Sequence, residues 1–438
     1  MSSHELYSTG SNSHGQLGLG SVEDHSCYTR LRLPRKCRPL ALALGANHSL
    51  LLADIADERV LLGTGSNSAG QLGEGNSEPR VQFEPIERAR YLPLQPGLDF
   101  MRYEPLKIAS SWETSFVVLR HVPDGEQSEM KRSDILVSFG SNDWGERGIA
   151  GGPHSAPSVV SFGHLFNGPY RIRRLEAGPR HVLALVEVVE SDRDTRTLLV
   201  GWGASRHGQL GSPDLSAKLP KTTPRPEIVP LPEPFSARDI VDLACGKDHS
   251  VISLLPTPSS SRATVILLGS NKHGQLGCQS EARSNLVPFS AISKGDDTVA
   301  ISVHSTWNTS FLSLPQIISA SGSDSHGQLG RGTPHEQVSK TMAMAAPWYR
   351  VKLPSSESQR LVCGSEHVIA LVEPEPSKQE LYAWGWNEHG NLGLGDGDVQ
   401  DRREPVRVFQ VMQERLNEGA RIVGIWGGMA TSWILFAT

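Results

Sequence analysis

The residues of this chain that could do chemistry are the glycines and histidines of a recurring nine-residue phrase. It reads GSNSHGQLG from Gly10 and GSNKHGQLG from Gly269. Glycine-rich loops can cradle phosphate groups, and the imidazole of histidine binds metal ions. Five copies carry a histidine before their second glycine: His14, His207, His273, His326 and His389. Whether either chemistry is possible depends on the elements that hold the phrase.

The sequence lacks the neighbouring residues that a phosphate-binding loop or a metal site would require. The Gly-Lys pair at Gly246 lacks the upstream glycine and the following hydroxyl residue of a P-loop, and GTGSN at Gly63 is not followed by the glycine spacing of a dinucleotide fold. Metal ligands must converge to about 2 Å from one ion, whereas histidines of separate repeats are expected to lie far apart. No convincing catalytic triad or carboxylate pair emerges. We therefore expect a binding protein rather than an enzyme, with no cofactor and no metal.

The phrase recurs throughout the chain, which indicates a structural repeat and not a single chemical site. Its seven copies start at Gly10, Gly65, Gly140, Gly203, Gly269, Gly322 and Gly385. A second phrase, exemplified by GANHSLLL from Gly45, also occurs seven times and alternates strictly with the first. Two interleaved sevenfold patterns predict seven supersecondary units.

Each unit is predicted to contain about four short strands. Apolar, β-prone runs follow the second phrase and precede the first, and the hydrophilic turn between them is typical of a β-hairpin. In the first phrase, the leucine is a candidate core residue and the glutamine amide a partner for backbone groups of the turn. Proline-rich loops follow, for example residues 212–234. Because the chain starts with one half of a hairpin, ELYSTGSN, and ends with the other, TSWILFAT, the two halves should pair and close a ring.

Together, the two phrases resemble those of the regulator of chromosome condensation repeat family. The resemblance runs from Leu6 to Phe436. It implies an all-β fold, a seven-bladed β-propeller closed by pairing of the N- and C-terminal strands. We expect a single propeller domain over residues 1–438.

Departures from the repeat pattern mark candidate partner-binding residues. Packing equivalent blades in a ring requires the same residues at the same repeat positions, whereas binding a partner does not. The second phrase becomes SWETSF and TWNTSF in two units, and the third copy of the first phrase reads GSNDWGERG. The arginine of that copy stands where leucine is usual, which suggests a distorted turn facing the surface. Tryptophan and arginine are favoured interface anchors; the alternative is that the tryptophans fill space between blades. The candidates are Trp112, Glu113, Trp144, Glu146, Arg147, Trp307, Asn308 and Trp386.

Composition predicts a cytoplasmic protein, with the nucleus as the alternative. The net charge of -5 argues against a broad nucleic-acid surface. No run of about 18 apolar residues predicts a transmembrane helix, and no direct membrane contact is expected. The five cysteines never form a C-x-x-C pair, which favours free thiols in a reducing compartment. The cluster PRKCR at residues 34–38 is interpreted as solvated loop charge.

The resemblance implies two functions. The founding member of the family is a guanine-nucleotide exchange factor for the small GTPase Ran, tethered to chromatin by a basic N-terminal tail. Here the first strand is expected to begin at Glu5 or Leu6 and the charge is acidic, so we expect no such tether.

The SWETSF and TWNTSF variants are similar to those of the fungal killer-toxin-insensitivity and α-tubulin-suppressor type. Proteins of that type bind a small zinc-containing electron-carrier protein of diphthamide synthesis. They also support tRNA wobble-uridine modification that depends on Elongator, a further candidate partner. We favour this function, with exchange on a Ran-like GTPase as the alternative and another scaffold role left open.

Overall fold

The computed structural model is a ring of seven four-stranded antiparallel sheets, as the sequence predicts. It describes residues 4–73, 77–92, 102–122, 132–151, 156–191, 194–212, 218–256, 263–278, 283–288, 300–332, 348–354, 358–375, 378–395, 397–409, 415 and 418–438.

The strands follow one another along the chain with almost no helix between them. They are β1 His4–Gly10, β2 His25–Arg30, β3 Cys37–Leu44, β4 His48–Ile55, β5 Glu58–Gly65, β6 Arg80–Pro85, β7 Tyr103–Ser110, β8 Thr114–His121, β9 Ile135–Gly140, β10 Ser158–Val159, β11 Tyr170–Ala177, β12 His181–Ser191, β13 Asp194–Ala204, β14 Thr222–Ile228, β15 Ile240–Cys245, β16 His249–Leu254, β17 Thr264–Gly269, β18 Ser284–Pro288, β19 Ser302–Ser305, β20 Thr309–Leu314, β21 Ile317–Gly322, β22 Tyr349–Arg350, β23 Ser358–Cys363, β24 His367–Glu375, β25 Lys378–Gly385, β26 Arg402–Arg407, β27 Arg421–Gly427 and β28 Thr431–Ala437. The helical turns are α1 Arg88–Tyr91 and a 3-10 turn at Ala237–Asp239.

Six blades are formed by four consecutive strands, starting with β3–β6 as blade 1. The first strand of every blade lines a central channel of about 490 Å³. The second phrase connects the first strand to the second, so all seven copies gather at one mouth of this channel. The hairpin turns between second and third strands lie on the opposite face.

Blade 7 combines both ends of the chain, in the order β2-β1-β28-β27. His4 lies opposite Ala437, and Leu6 opposite Leu435. Leu6 and Trp433 are both buried in the core between this blade and blade 1. The predicted circular closure is therefore confirmed.

The first phrase builds the same turn in blade after blade. In its first copy, the backbone N–H of His14 donates to Oε1 of Gln16 at 2.9 Å, and that of Leu17 donates to Oδ1 of Asn12 at 2.9 Å. The leucine is at most 7 % exposed wherever it occurs, at Leu17, Leu72, Leu210, Leu276, Leu329 and Leu392. Both roles predicted for the phrase are confirmed.

The described part of the proline-rich stretch, residues 218–234, contains a strand that its composition does not predict. Its composition predicts a loop, but its residues Thr222–Ile228 form β14, the outermost strand of blade 3. Pro224 and Pro226 are tolerated there because an edge strand leaves some backbone N–H groups without a ladder partner to serve.

Buried histidines of the second phrase join neighbouring blades. His181 Nε2 lies 2.8 Å from Ser250 Oγ of the next blade, and that hydroxyl donates to the carbonyl of Gln209 at 2.8 Å. Because the hydroxyl proton goes to the carbonyl, the imidazole must donate through Nε2–H. The same arrangement recurs between His48 and Ser115 and between His367 and Ser432.

The threonines that replace this histidine do a different job. Because threonine replaces histidine at this position, the sequence predicts that both residues make the same hydrogen bond within the sheet. Thr114 Oγ1 instead donates to the carbonyl of Ser141 in its own blade, at 2.7 Å, whereas the histidines bond to the next blade. In the next blade, blade 3, Val182 occupies the position that corresponds to Ser250 in blade 4, so no hydroxyl is available there. The indole N–H of Trp202 then donates to the carbonyl of Glu146 at 2.7 Å. The prediction was wrong because the histidine bond crosses between sheets, which the sequence does not reveal.

Candidate partner-binding site

A recess of about 430 Å³ opens beside the channel mouth. It collects residues from blades 2 to 5, which are far apart in sequence: Trp112, Glu113, Ser141, Asp143, Trp144, Glu146, Pro179, Arg180, Lys247 and Trp307. Five of the eight candidate residues are brought together here. They are Trp112, Glu113, Trp144, Glu146 and Trp307.

The two variant copies of the second phrase meet across the mouth. The ring centroids of Trp112 and Trp307 are 5.6 Å apart, with an angle of 36° between the ring planes. Since Trp112 belongs to blade 2 and Trp307 to blade 5, this contact must bridge the mouth of the channel. Trp112 nevertheless remains 42 % exposed, so it offers an aromatic face to a partner.

Cations flank these rings. The guanidinium of Arg180 lies 4.4 Å from the ring centre of Trp144, and Nζ of Lys247 lies 5.4 Å from that of Trp307. Both distances are within the range of a cation–π interaction, which restrains the indoles before any partner arrives. Together with the carboxylate of Glu113, the recess presents aromatic faces and both signs of charge.

Hydrogen bonds between blades run around the mouth and are interrupted at this recess. The N–H of Trp112 donates to the carbonyl of Pro179 at 3.3 Å, and the N–H of Lys247 donates to the carbonyl of Trp307 at 2.9 Å. Pro179 itself has no N–H to donate onward to blade 4. The backbone ring is thus open between blades 3 and 4, beside the recess, and among the described residues the corresponding bond from Met429 to Ala46, between blades 7 and 1, is also missing.

Glu146 takes the structural place of the usual glutamine. Its Oε2 accepts from the N–H of Trp144 at 2.7 Å, and its Oε1 lies 3.3 Å from Oγ1 of Thr114, whose proton goes to the carbonyl of Ser141. Burial raises the pKa of this carboxyl above its usual value. Its side chain therefore holds the turn, as glutamine does in other blades.

Arg147 does not face the surface, and the prediction of a distorted turn was wrong. The turn has its ordinary bonds, with the N–H of Arg147 donating to Oδ1 of Asn142 at 3.0 Å. The buried guanidinium donates to the carbonyls of Ser138, at 3.2 Å, and Ala156. Burial lowers its pKa to about 10. The long side chain fills the leucine position and donates to these carbonyls through Nη2, while its buried Nε and Nη1 have no hydrogen-bond partner among the described residues.

A substitution pair tests this structural role. Arg147→Ala is expected to lower the free energy of unfolding by about 3 kcal/mol, because it leaves a cavity in a closed core. Arg147→Leu, the residue of other blades, should stay within about 1 kcal/mol of the parent, since a hydrophobic replacement avoids burying a charge. Urea unfolding measures both. Equal losses for the two variants would contradict a space-filling role.

The remaining two candidates lie outside the recess. Asn308 donates through Nδ2 to Oε1 of Glu366, at 3.2 Å. The ring of Trp386 packs 5.2 Å from that of His389 and 6.3 Å from that of His326. Trp386 is therefore separate from the tryptophans of the mouth.

Five further residues of the recess were not predicted from the sequence: Ser141, Asp143, Pro179, Arg180 and Lys247. Three of them occupy the two variable positions after the glycine of the second phrase. That shared position is a signal that could have singled them out, because the loops of all blades gather at one mouth.

The described residues meet the requirements neither of a three-ligand metal site nor of a membrane-spanning helix. Among the residues that the structure describes, no three His, Cys, Asp or Glu side chains are grouped so that they could hold a metal ion. Within the same ranges no helix has the length and apolar character needed to cross a bilayer.

Comparison with known proteins agrees with this architecture. The model of the regulator of chromosome condensation (RCC1) repeat matches residues 3–52, 199–253 and 379–428. This chain carries RCC1 repeats. The three matched stretches fall in blades 7 and 1, in blades 3 and 4, and in blades 6 and 7, and the remaining RCC1 repeats have the same four-stranded form.

Relatives and solved structures extend over most of the RCC1-repeat ring. The chain is 26% identical to the mouse secretion-regulating guanine nucleotide exchange factor over 428 residues, 94% of this chain and 80% of that protein. It is 26% identical to the ultraviolet-B receptor UVR8 of Arabidopsis thaliana, over 87% of this chain and 73% of the receptor. The crystal structure of Prp20p from Saccharomyces cerevisiae superposes with a TM-score of 0.71 at 19% identity, covering 99% of this chain and 91% of that one. Human WBSCR16 gives 0.70 at 19% identity, covering 99% and 98%. The solved structures share the fold.

Proposed function

We propose that the chain is a non-enzymatic, protein-binding RCC1-repeat propeller that holds its partner at the channel mouth. The favoured partner is a small zinc-binding electron-carrier protein of diphthamide synthesis. By binding it, the propeller would support diphthamide formation and Elongator-dependent modification of the tRNA wobble uridine. The proposed compartment is the cytoplasm, with the nucleus as the alternative.

The contact between Trp112 and Trp307 carries this proposal. The two aromatic variants that resemble the killer-toxin-insensitivity type lie 195 positions apart in sequence, yet their rings are 5.6 Å apart at one mouth. A packing role alone does not require the 42 % exposure of Trp112. Exposed aromatic rings with flanking charges are the usual anchors of protein interfaces.

Double substitution of Trp112 and Trp307 by alanine tests the mouth. The variant is expected to bind the purified zinc protein at least about 30-fold more weakly in calorimetric titration, since interface anchors contribute about 2 kcal/mol or more each. The matched control is Trp386→Ala, which removes a half-buried tryptophan outside the recess and should change the dissociation constant less than about threefold. Unchanged binding by the double variant with a large drop in melting temperature would show that the tryptophans are structural.

The second candidate function is guanine-nucleotide exchange on a Ran-like small GTPase. Two relatives that align with 94% and 90% of this chain are named secretion-regulating guanine nucleotide exchange factors. Prp20p, which shares the fold, binds Gsp1p and histones. Release of fluorescent GDP from a Ran-like GTPase, measured with and without the propeller, separates the candidates. Accelerated release without binding of the zinc protein would replace the favoured function.

A further inference from the structure

A larger recess lies on the face opposite the channel mouth, at the seam between blades 7 and 1. Its volume is about 1170 Å³, and five cations line it: Arg30, Arg32, Arg35, Lys36 and Arg38. They come from the end of β2, the start of β3 and the short loop between these strands. We call this recess the basic groove.

Two of the three carboxylates that line the basic groove are paired with cations, whereas the third, Asp57, is exposed at the turn after β4. Glu5, only 8 % exposed, pairs with Arg30 at 2.9 Å and also with Arg415. Asp54 pairs with Arg59 at 2.8 Å and with Arg38. Neither Glu5 nor Asp54 is therefore available to saturate further cations.

Three cations of the connecting loop have no such partner. Arg32, Arg35 and Lys36 are exposed, and in the described part of the chain none has a carboxylate within ion-pair distance. The loop is nonetheless well held, because its ends Leu31 and Cys37 are 5 % and 8 % exposed. A rigid loop presents its charges without a large entropy cost on binding.

We propose that the basic groove binds an anionic peptide segment of a protein partner. Carboxylate and phosphate side chains share the required chemistry, since arginine forks bind both in bidentate fashion. Aspartate and glutamate or a phosphorylated residue could supply that charge. The site is separate from the channel mouth, so it is independent of the proposed function.

Charge distribution favours a peptide over nucleic acid. The cations are confined to one recess, which also contains Asp57, while the chain as a whole carries a charge of -5. A duplex would extend beyond the groove over a chain of net negative charge, where its further phosphates would gain no comparable counterion release. A short anionic segment fits within the positive region alone.

Fluorescence anisotropy with the full chain tests the proposal. The probes are a labelled hexaglutamate peptide, a phosphoserine peptide, a hexaglutamine peptide and a DNA duplex of about 12 base pairs. We expect saturable binding of one or both anionic peptides, with affinity falling as salt rises, and no binding of hexaglutamine. The two anionic probes identify which source of negative charge the groove prefers.

A charge-matched pair of triple variants locates the binding. Substituting Arg32, Arg35 and Lys36 by serine should weaken peptide binding roughly tenfold or more, because charge-assisted hydrogen bonds are lost. Substituting Arg225, Arg238 and Lys272 by serine removes the same charge from exposed positions outside the groove and should change affinity less than about twofold. Trp112→Ala should bind the peptide normally. Equal losses in both triple variants, no saturable peptide binding, or tighter binding of the DNA duplex would overturn the proposal.

Discussion

Deletion of residues 1–10 is expected to abolish cooperative unfolding of the propeller. The deletion removes β1, whose backbone pairs with β28 along its whole length and with β2 on its other side. It also removes Leu6, which is 1 % exposed in the core between blades 7 and 1. Burial of one such leucine typically contributes about 2–5 kcal/mol, a large share of a total stability of about 5–15 kcal/mol. Differential scanning calorimetry should show no single sharp transition.

A relocated strand is the matched control for this deletion. A chain that starts at Ser11 and continues after Thr438 through one glycine into His4–Gly10 contains the same strand. Its new turn has two residues, like the Ala56–Asp57 turn between β4 and β5. This permuted chain should unfold cooperatively within a few degrees of the parent. If it fails as the deletion does, pairing of the terminal strands is not what stabilises the ring.

Mild acid is expected to destabilise the propeller through its buried histidines. Burial lowers the pKa of His48 and His249 to about 3 and that of His181 and His367 to about 4. In the unfolded chain these groups titrate near pH 6.5, so below that pH the unfolded state binds more protons and the stability falls. From pH 6.5 to 5.5 each histidine costs about 1 kcal/mol, or about 4 kcal/mol for the set.

One buried carboxyl acts in the opposite direction. Burial, together with the nearby Asp242, raises the pKa of Glu176 to about 7. This carboxyl takes up its proton more readily in the folded state, so lowering the pH returns about 1 kcal/mol. Burial also lowers the pKa of His304, beside the channel, to about 4, which adds about 1 kcal/mol to the loss. The expected net loss is therefore about 4 kcal/mol over that pH unit.

Urea unfolding at pH 6.5 and 5.5 measures the acid effect. His181→Gln keeps an N–H donor for Ser250 but does not titrate, so it should reduce the loss by about 1 kcal/mol. A loss that His181→Gln leaves unchanged would assign the acid sensitivity to other groups.

The fold was predictable because the seven repeats of this one chain can be compared with one another, as related sequences would be in an alignment. Seven copies of each phrase reveal which positions the architecture fixes, and the half hairpins at Leu6 and Leu435 reveal the closure. The role of Arg147 was not predictable, since the positions of the carbonyls that accept from its Nη2 depend on the path of the backbone. The strand at Thr222–Ile228 was hidden by its prolines.

The site was predictable only in part, for a geometric reason. Trp112 and Trp307 stood out as departures from the pattern, but their contact depends on which blades face each other across the mouth. Arg180 and Lys247 were not predicted as partner-binding residues, because charged residues at variable positions are common. The His–Ser joints between blades likewise need three-dimensional neighbours to be recognised.

The composite blade also constrains how the protein is made. Since β1 emerges from the ribosome before β28, residues 4–10 cannot reach their partner until residues 431–437 have been synthesised. Throughout elongation an unpaired strand edge is exposed, and such edges invite aggregation. Nascent chains stalled before residue 421 should therefore bind chaperones and fail to reach the native fold. Once β28 has left the ribosome, it should pair with β1 and close the ring.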